Sequence, residues 1–85
     1  MNEHVDGNAL AGPLSELFNA DMTVATGRCA HCSDVSPLAR AMVYEDEMGI
    51  VVRCSSCEDV LMTIVHSEAS TCIDLSGVRS LEIYA

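Results

Sequence analysis

Two short turns, Cys29-Ala30-His31-Cys32 and Cys54-Ser55-Ser56-Cys57, constrain this chain more than any other feature. A Cys-x-x-Cys turn directs two sulfurs at one point, and a pair of such turns completes a tetrahedron of ligands around Zn²⁺. The turns are separated by residues 33 to 53, which are 21 positions. That slightly exceeds the usual gap of about 15–20, yet it holds one hairpin of the expected kind. Each turn follows a strand-like segment, Gly27-Arg28 and Val51-Val52-Arg53. Cys29, Cys32, Cys54 and Cys57 are therefore read as the ligands of a structural zinc ion. A closed site of four thiolates has no open position for a substrate, so it is a scaffold and not a catalyst. Such an ion contributes on the order of 10–16 kcal/mol of apparent folding free energy, above the typical stability of a small domain.

Some features count against the assignment. Many knuckles of this type carry glycine after the second cysteine, where it relaxes the turn; Ser33 and Glu58 stand there instead. Iron in a rubredoxin-like site uses the same four ligands. Rubredoxins pack an aromatic-rich core around the iron, whereas this chain has one Phe, two Tyr and no Trp. A disulfide pair or redox-active thiols are the remaining rivals.

A metal staple suits the size of the chain. Its 85 residues make a single domain, and a domain this small buries too little surface to rest on an apolar core alone. With 49% hydrophobic residues it is not composed like a disordered segment. The core must be aliphatic, built from Val, Ile, Leu, Met and Ala.

Charge excludes some partners. The formal net charge is −9, from 13 acids against four arginines and no lysine. Nucleic-acid binding needs clustered cations to displace counterions from phosphates, and Arg28, Arg40, Arg53 and Arg79 are scattered. No nucleic-acid partner is expected, and an anionic membrane surface is disfavoured for the same reason. The acidic N-terminal residues do not resemble a signal peptide, and four paired cysteines suit a reducing compartment. A cytoplasmic protein is expected.

Along the chain, Leu10, Leu14, Leu17 and Phe18 recur at helical spacing. Gly12-Pro13 interrupts them, which predicts a short helix or turn over 6–11, capped by Asp6 or Asn8, and a helix over 13–20. From Val24 the pattern becomes strand-like, with runs at Leu38–Glu45, Gly49–Arg53, Val60–His66 and Thr71–Leu75, and a last strand at Leu81–Tyr84. Glu45-Asp46-Glu47-Met48-Gly49 makes an acidic hairpin tip. The expected fold is a small α+β zinc ribbon: a short antiparallel sheet with two knuckles over residues 23–85, preceded by an N-terminal helical segment over 1–22.

Other reactive side chains read as packing. Cys72 is expected to be a small buried hydrophobe. His31 is expected to point to solvent from within its knuckle, His66 to lie at the core edge beside Val60, Met62 and Ile64, and His4 to sit in a mobile terminus. No nucleophile–base set, phosphate loop or dinucleotide fingerprint is present, and no enzyme is expected.

Asp6-Gly7-Asn8-Ala9-Leu10-Ala11-Gly12-Pro13-Leu14, Glu16-Leu17-Phe18, Ala25-Thr26-Gly27-Arg28-Cys29, the second Cys-x-x-Cys and Ile73-Asp74-Leu75 together resemble a family of small bacterial zinc-ribbon proteins of unknown function. The resemblance implies a stand-alone ribbon with an N-terminal helical segment, and brings no activity with it. It also implies a gene neighbourhood with flavin- or molybdenum-dependent oxidoreductases, which makes an oxidoreductase one candidate partner. The functional expectation is an acidic protein-interaction or scaffolding module, with Leu10, Leu14, Leu17 and Phe18 as partner-binding residues or as a cover for the ribbon's own sheet. The alternative is a redox-sensitive zinc and thiol switch or a metal-handling protein.

Overall fold

The computed structural model describes residues 4–12 and 22–83. Among the described residues eight strands form two antiparallel sheets. Val5–Asp6 (β1), Met42–Glu45 (β4), Gly49–Arg53 (β5), Val60–His66 (β6) and Thr71–Asp74 (β7) make a five-stranded sheet in the order β1-β4-β5-β6-β7. Thr26–Cys29 (β2), Val35–Pro37 (β3) and Val78–Glu82 (β8) make a three-stranded sheet in the order β3-β2-β8.

This corrects the α+β ribbon with a helical N-terminal segment. Among the described residues the complete helical elements are 3₁₀ turns, at Gly7–Leu10, Met22–Val24 and Leu38–Arg40. The chain enters as a strand, with Val5 opposite Val43 and Asp6 opposite Met42. Asp6 does cap the next element, its carboxylate accepting the Asn8 N–H at 3.0 Å, but that element is a single tight turn. Tertiary packing sets its shape. Gly7 lies so close to the Leu38 carbonyl that any Cβ there would overlap it, and Leu10 is wholly buried. The helix expected over 13–20 lies outside the described residues.

The strand expected over Leu38–Glu45 is divided. Pro37 has no N–H to extend the ladder, and the chain turns at Leu38–Arg40 before β4 begins at Met42. The turn brings Leu38 inward, where it is buried and donates its N–H to the Ala25 carbonyl at 2.9 Å. β5 and β6 lie where alternation places them, while β7 ends at Asp74 and the last strand begins earlier, at Val78.

The core lies between the sheets. Val43, Ile50, Val52, Met62 and Ile64 enter it from the five-stranded sheet, meeting Ala25, Cys29, Leu38, Leu10 and Met22. The buried apolar set is aliphatic, as composition requires, and Cys29 and Cys54 belong to it. The ligand cluster thus continues the core. Gly77 ties the two sheets beside it: its N–H donates to the Leu61 carbonyl at 3.1 Å, and its own carbonyl accepts the Ala30 N–H at 2.9 Å.

Candidate metal centre

Each knuckle is the turn of a hairpin, and each hairpin belongs to a different sheet. Residues 29–34 join β2 to β3, where Arg28 faces Val35; residues 54–59 join β5 to β6, where Arg53 faces Val60. The backbone hydrogen bonds that close the two turns are equivalent. The Cys29 N–H donates to the Asp34 carbonyl (2.9 Å) and the Ser33 N–H to the Cys29 carbonyl (3.0 Å). Likewise the Cys54 N–H donates to Asp59 (2.8 Å) and the Glu58 N–H to Cys54 (2.9 Å).

That equivalence exposes a longer repeat than the cysteines alone. Arg28-Cys29-Ala30-His31-Cys32-Ser33-Asp34-Val35 and Arg53-Cys54-Ser55-Ser56-Cys57-Glu58-Asp59-Val60 share Arg, both Cys, Asp and Val. The aspartates supply the carbonyls that close the turns, and their N–H groups face the sulfurs of Cys32 and Cys57. Ligand spacing does not reveal them; aligning the two turns in the sequence does.

The turns converge. The four Sγ atoms of Cys29, Cys32, Cys54 and Cys57 all lie within 4.8 Å of one another. Cys29 and Cys57 approach to 3.7 Å, as do Cys32 and Cys54, so the closest pairs run between knuckles. A tetrahedron with Zn–S bonds of about 2.3 Å has edges of about 3.8 Å, so the donor set and its spacing fit zinc. Backbone N–H groups already point at the sulfurs: His31 and Cys32 donate to Cys29 at 3.4 and 3.5 Å, and Ser56 donates to Cys54 at 3.3 Å. These bonds favour thiolate over thiol.

Proton affinities differ around the ring of sulfurs. The Cys32 N–H is the main influence lowering the Cys29 thiol to about 7, helped by the His31 N–H and the Cys57 sulfur against the opposing effect of burial. At Cys57 the Asp59 N–H lowers the thiol, but burial and the three other sulfurs outweigh it and push it up to about 12. Cys32 is raised in the same manner: the Asp34 N–H is overcome by burial and the sulfurs of Cys54 and Cys29. Four sulfurs this close cannot all ionise without a cation among them.

Ser33 and Glu58, the residues without the usual glycine, have φ of 67° and 66°. The turns take the left-handed conformation that glycine would take, and the side chains do not prevent it. His31 is exposed as expected, and its Nε2 lies 3.1 Å from Asp59 Oδ2, linking one knuckle to the other at the surface. Arg53 also serves the second knuckle, its Nη1 donating to the Glu58 carbonyl at 2.9 Å.

The other singled-out residues stand apart from the sulfurs. Cys72 is exposed on the edge strand β7, which corrects the expectation of a buried thiol: its face of the sheet is the one turned away from the core. His66 is exposed beside Thr71 Oγ1 at 3.3 Å and does not line the core. His4 packs its ring 5.4 Å from that of Tyr44. Leu10 is in the core and offers no surface to a partner, while Leu14, Leu17 and Phe18 lie outside the described residues.

The whole chain, residues 1–85, matches a family of unknown function, DUF6510. This protein is a member of the DUF6510 family. The family supplies no activity, so the clustered cysteines carry the chemical argument for this DUF6510 chain. No curated protein and no solved structure matches it.

Proposed function

We propose that Cys29, Cys32, Cys54 and Cys57 hold a structural zinc ion, and that the domain so stapled is a noncatalytic protein-interaction module. The observation that carries the metal assignment is the convergence of four sulfurs from two equivalent turns, one in each sheet. With all four positions of a tetrahedron filled by thiolates, the ion has no vacancy for a substrate. Its role is to hold two sheets together that share a small, aliphatic core. A module is favoured over an enzyme because the thiolates are committed to a closed site and the hydroxyl–imidazole pair of Thr71 and His66 is exposed at the sheet edge. The acidity, −9 overall, points to a partner protein and away from nucleic acid and anionic membranes.

Metal analysis of the purified protein tests the first half: one zinc per chain is expected, and iron in its place would refute it. For the second half, the tagged chain is recovered from its native cell at native expression. A stoichiometric partner that is lost on Cys54→Ser supports a module whose binding depends on the folded, metal-loaded state. Recovery of the zinc-loaded chain alone would count against it.

One observation favours a second reading, a redox-sensitive zinc switch. Cys32 is exposed and Cys57 half-buried, whereas Cys29 and Cys54 are buried, so an oxidant has access to one side of the cluster. Zinc released reversibly at peroxide exposures that leave ordinary structural zinc sites loaded would favour the switch.

A further inference from the structure

The five-stranded sheet has one face on the core and one turned outward, and the register decides which residues occupy each. Val43 pairs with Val52, Val52 with Met62, and Ile50 with Ile64, all buried. Alternation then places Met42, Tyr44, Val51, Thr63, Val65 and Cys72 on the outward face. A solvated sheet face is ordinarily polar, but the middle of this one is apolar. Val65 is 46% exposed in it, with Tyr44, Val51 and Thr63 half-buried in one cross-strand row. The face's cation, Arg53, is engaged, bonded to the Glu58 carbonyl and lying 5.8 Å from the centre of the Tyr44 ring.

Acids surround this centre. Asp6 stands on β1 at one edge and Asp74 on β7 at the other. The exposed tip Glu45, Asp46 and Glu47 closes the β4–β5 end, and Glu58 follows the knuckle at the opposite end. An apolar centre with a polar rim is the composition of a protein-binding surface. The sign of the rim selects the occupant. A second copy would set acid against acid between two chains of −9 each, and like charges across an interface disfavour association. An anionic lipid surface or a nucleic acid is disfavoured by the same repulsion.

We propose that the outward face of the five-stranded sheet is the docking surface of the module, and that its partner is a protein presenting an apolar patch flanked by lysine and arginine. This rests on the interaction-module reading and moves the contact from the leucine stripe to Tyr44, Val51, Thr63 and Val65.

The test places a photo-crosslinking amino acid at position 65 or 44 in the full chain, expressed at native level in the native cell. Position 35 on the three-stranded sheet, where Val35 is 52% exposed, is the control. The expected result is one crosslinked protein from positions 65 and 44, absent from position 35, whose attached peptide is apolar with flanking basic residues. Binding of that purified protein should weaken at least tenfold with Val65→Arg and fall with added salt. Val65→Thr, which suits a strand, should retain most of the binding, and both variants should keep the parent's metal content and melting temperature. A crosslink to a second copy, to the chain's own residues 13–21 or to an acidic peptide would overturn the proposal. Capture of a partner from position 35 alone would overturn the face and leave the module standing. No crosslink from any of the three positions would remove both.

Discussion

The left-handed residues Ser33 and Glu58 allow a quantitative test of how the knuckles are built. A non-glycine residue in that conformation brings its Cβ too close to the following carbonyl, at a cost of roughly 1–2 kcal/mol. With φ at 67° and 66°, both residues bear this cost in the native state. Replacement by glycine removes it but increases the freedom of the unfolded chain, which offsets about 0.4–1 kcal/mol. Ser33→Gly and Glu58→Gly should therefore each stabilise the domain by roughly 0.5–1 kcal/mol. For a domain of this size that raises the melting temperature by roughly 2–8 °C. The assay is thermal unfolding followed by circular dichroism, with free zinc buffered at one value because bound ligand shifts the midpoint. Glu58→Gln separates the effect of charge from that of backbone conformation and should shift the midpoint far less than Glu58→Gly. Ser33→Val, which adds a branched side chain at the strained position, should destabilise. Glycine variants melting at or below the parent, together with a harmless Ser33→Val, would refute the reasoning.

The metal centre and its surroundings carry other testable consequences. Cys54→Ser, or a strong chelator, should abolish the cooperative melt and the dispersed amide NMR spectrum, since the metal's contribution of about 10–16 kcal/mol exceeds what a small core can replace; a chelated protein with an unchanged spectrum would contradict this. Because ordinary thiols are protonated at neutral pH and must ionise to bind metal, uptake by the unfolded metal-free chain should release about four protons per ion, measurable by calorimetry in buffers of different ionisation enthalpy. Gly77→Ala should destabilise by several kcal/mol, on the order of a severe backbone clash, because a methyl there would overlap the Val60 carbonyl; chemical denaturation measures it. His31→Ala should cost no more than about 1 kcal/mol, as its contact with Asp59 is largely exposed, and a larger loss would show that the contact clamps the knuckles.

What is legible in the sequence is local chemistry. The four cysteines converge because Cys-x-x-Cys geometry is set within each turn, and β5 and β6 come from unbroken aliphatic runs. Properties decided by distant neighbours are not legible. Asp6-Gly7-Asn8 signals a helix start and a tight turn equally well, and the approach of Leu38 to Gly7 selects the turn. Leu38 itself reads as strand until its burial under the N-terminal turn draws it out of the ladder. Cys72 reads as buried because strand alternation does not say whether a strand lies at an edge or which face meets the core. Val35–Pro37 is too short to show a period, and it joins a sheet whose third strand lies more than forty residues later, at 78–82.

That last separation bears on how the chain is made. All four sulfurs are supplied by residues 29–57, whereas β8, the strand that completes the three-stranded sheet, is synthesised later, at residues 78–82. A nascent chain long enough to expose Cys57 already carries every ligand, together with β2, β3, β4 and β5. Metal captured at that moment would hold the β2–β3 hairpin beside the growing five-stranded sheet until β8 arrives. The vectorial order of synthesis and the position of the cysteines therefore allow metal acquisition before the completion of the fold.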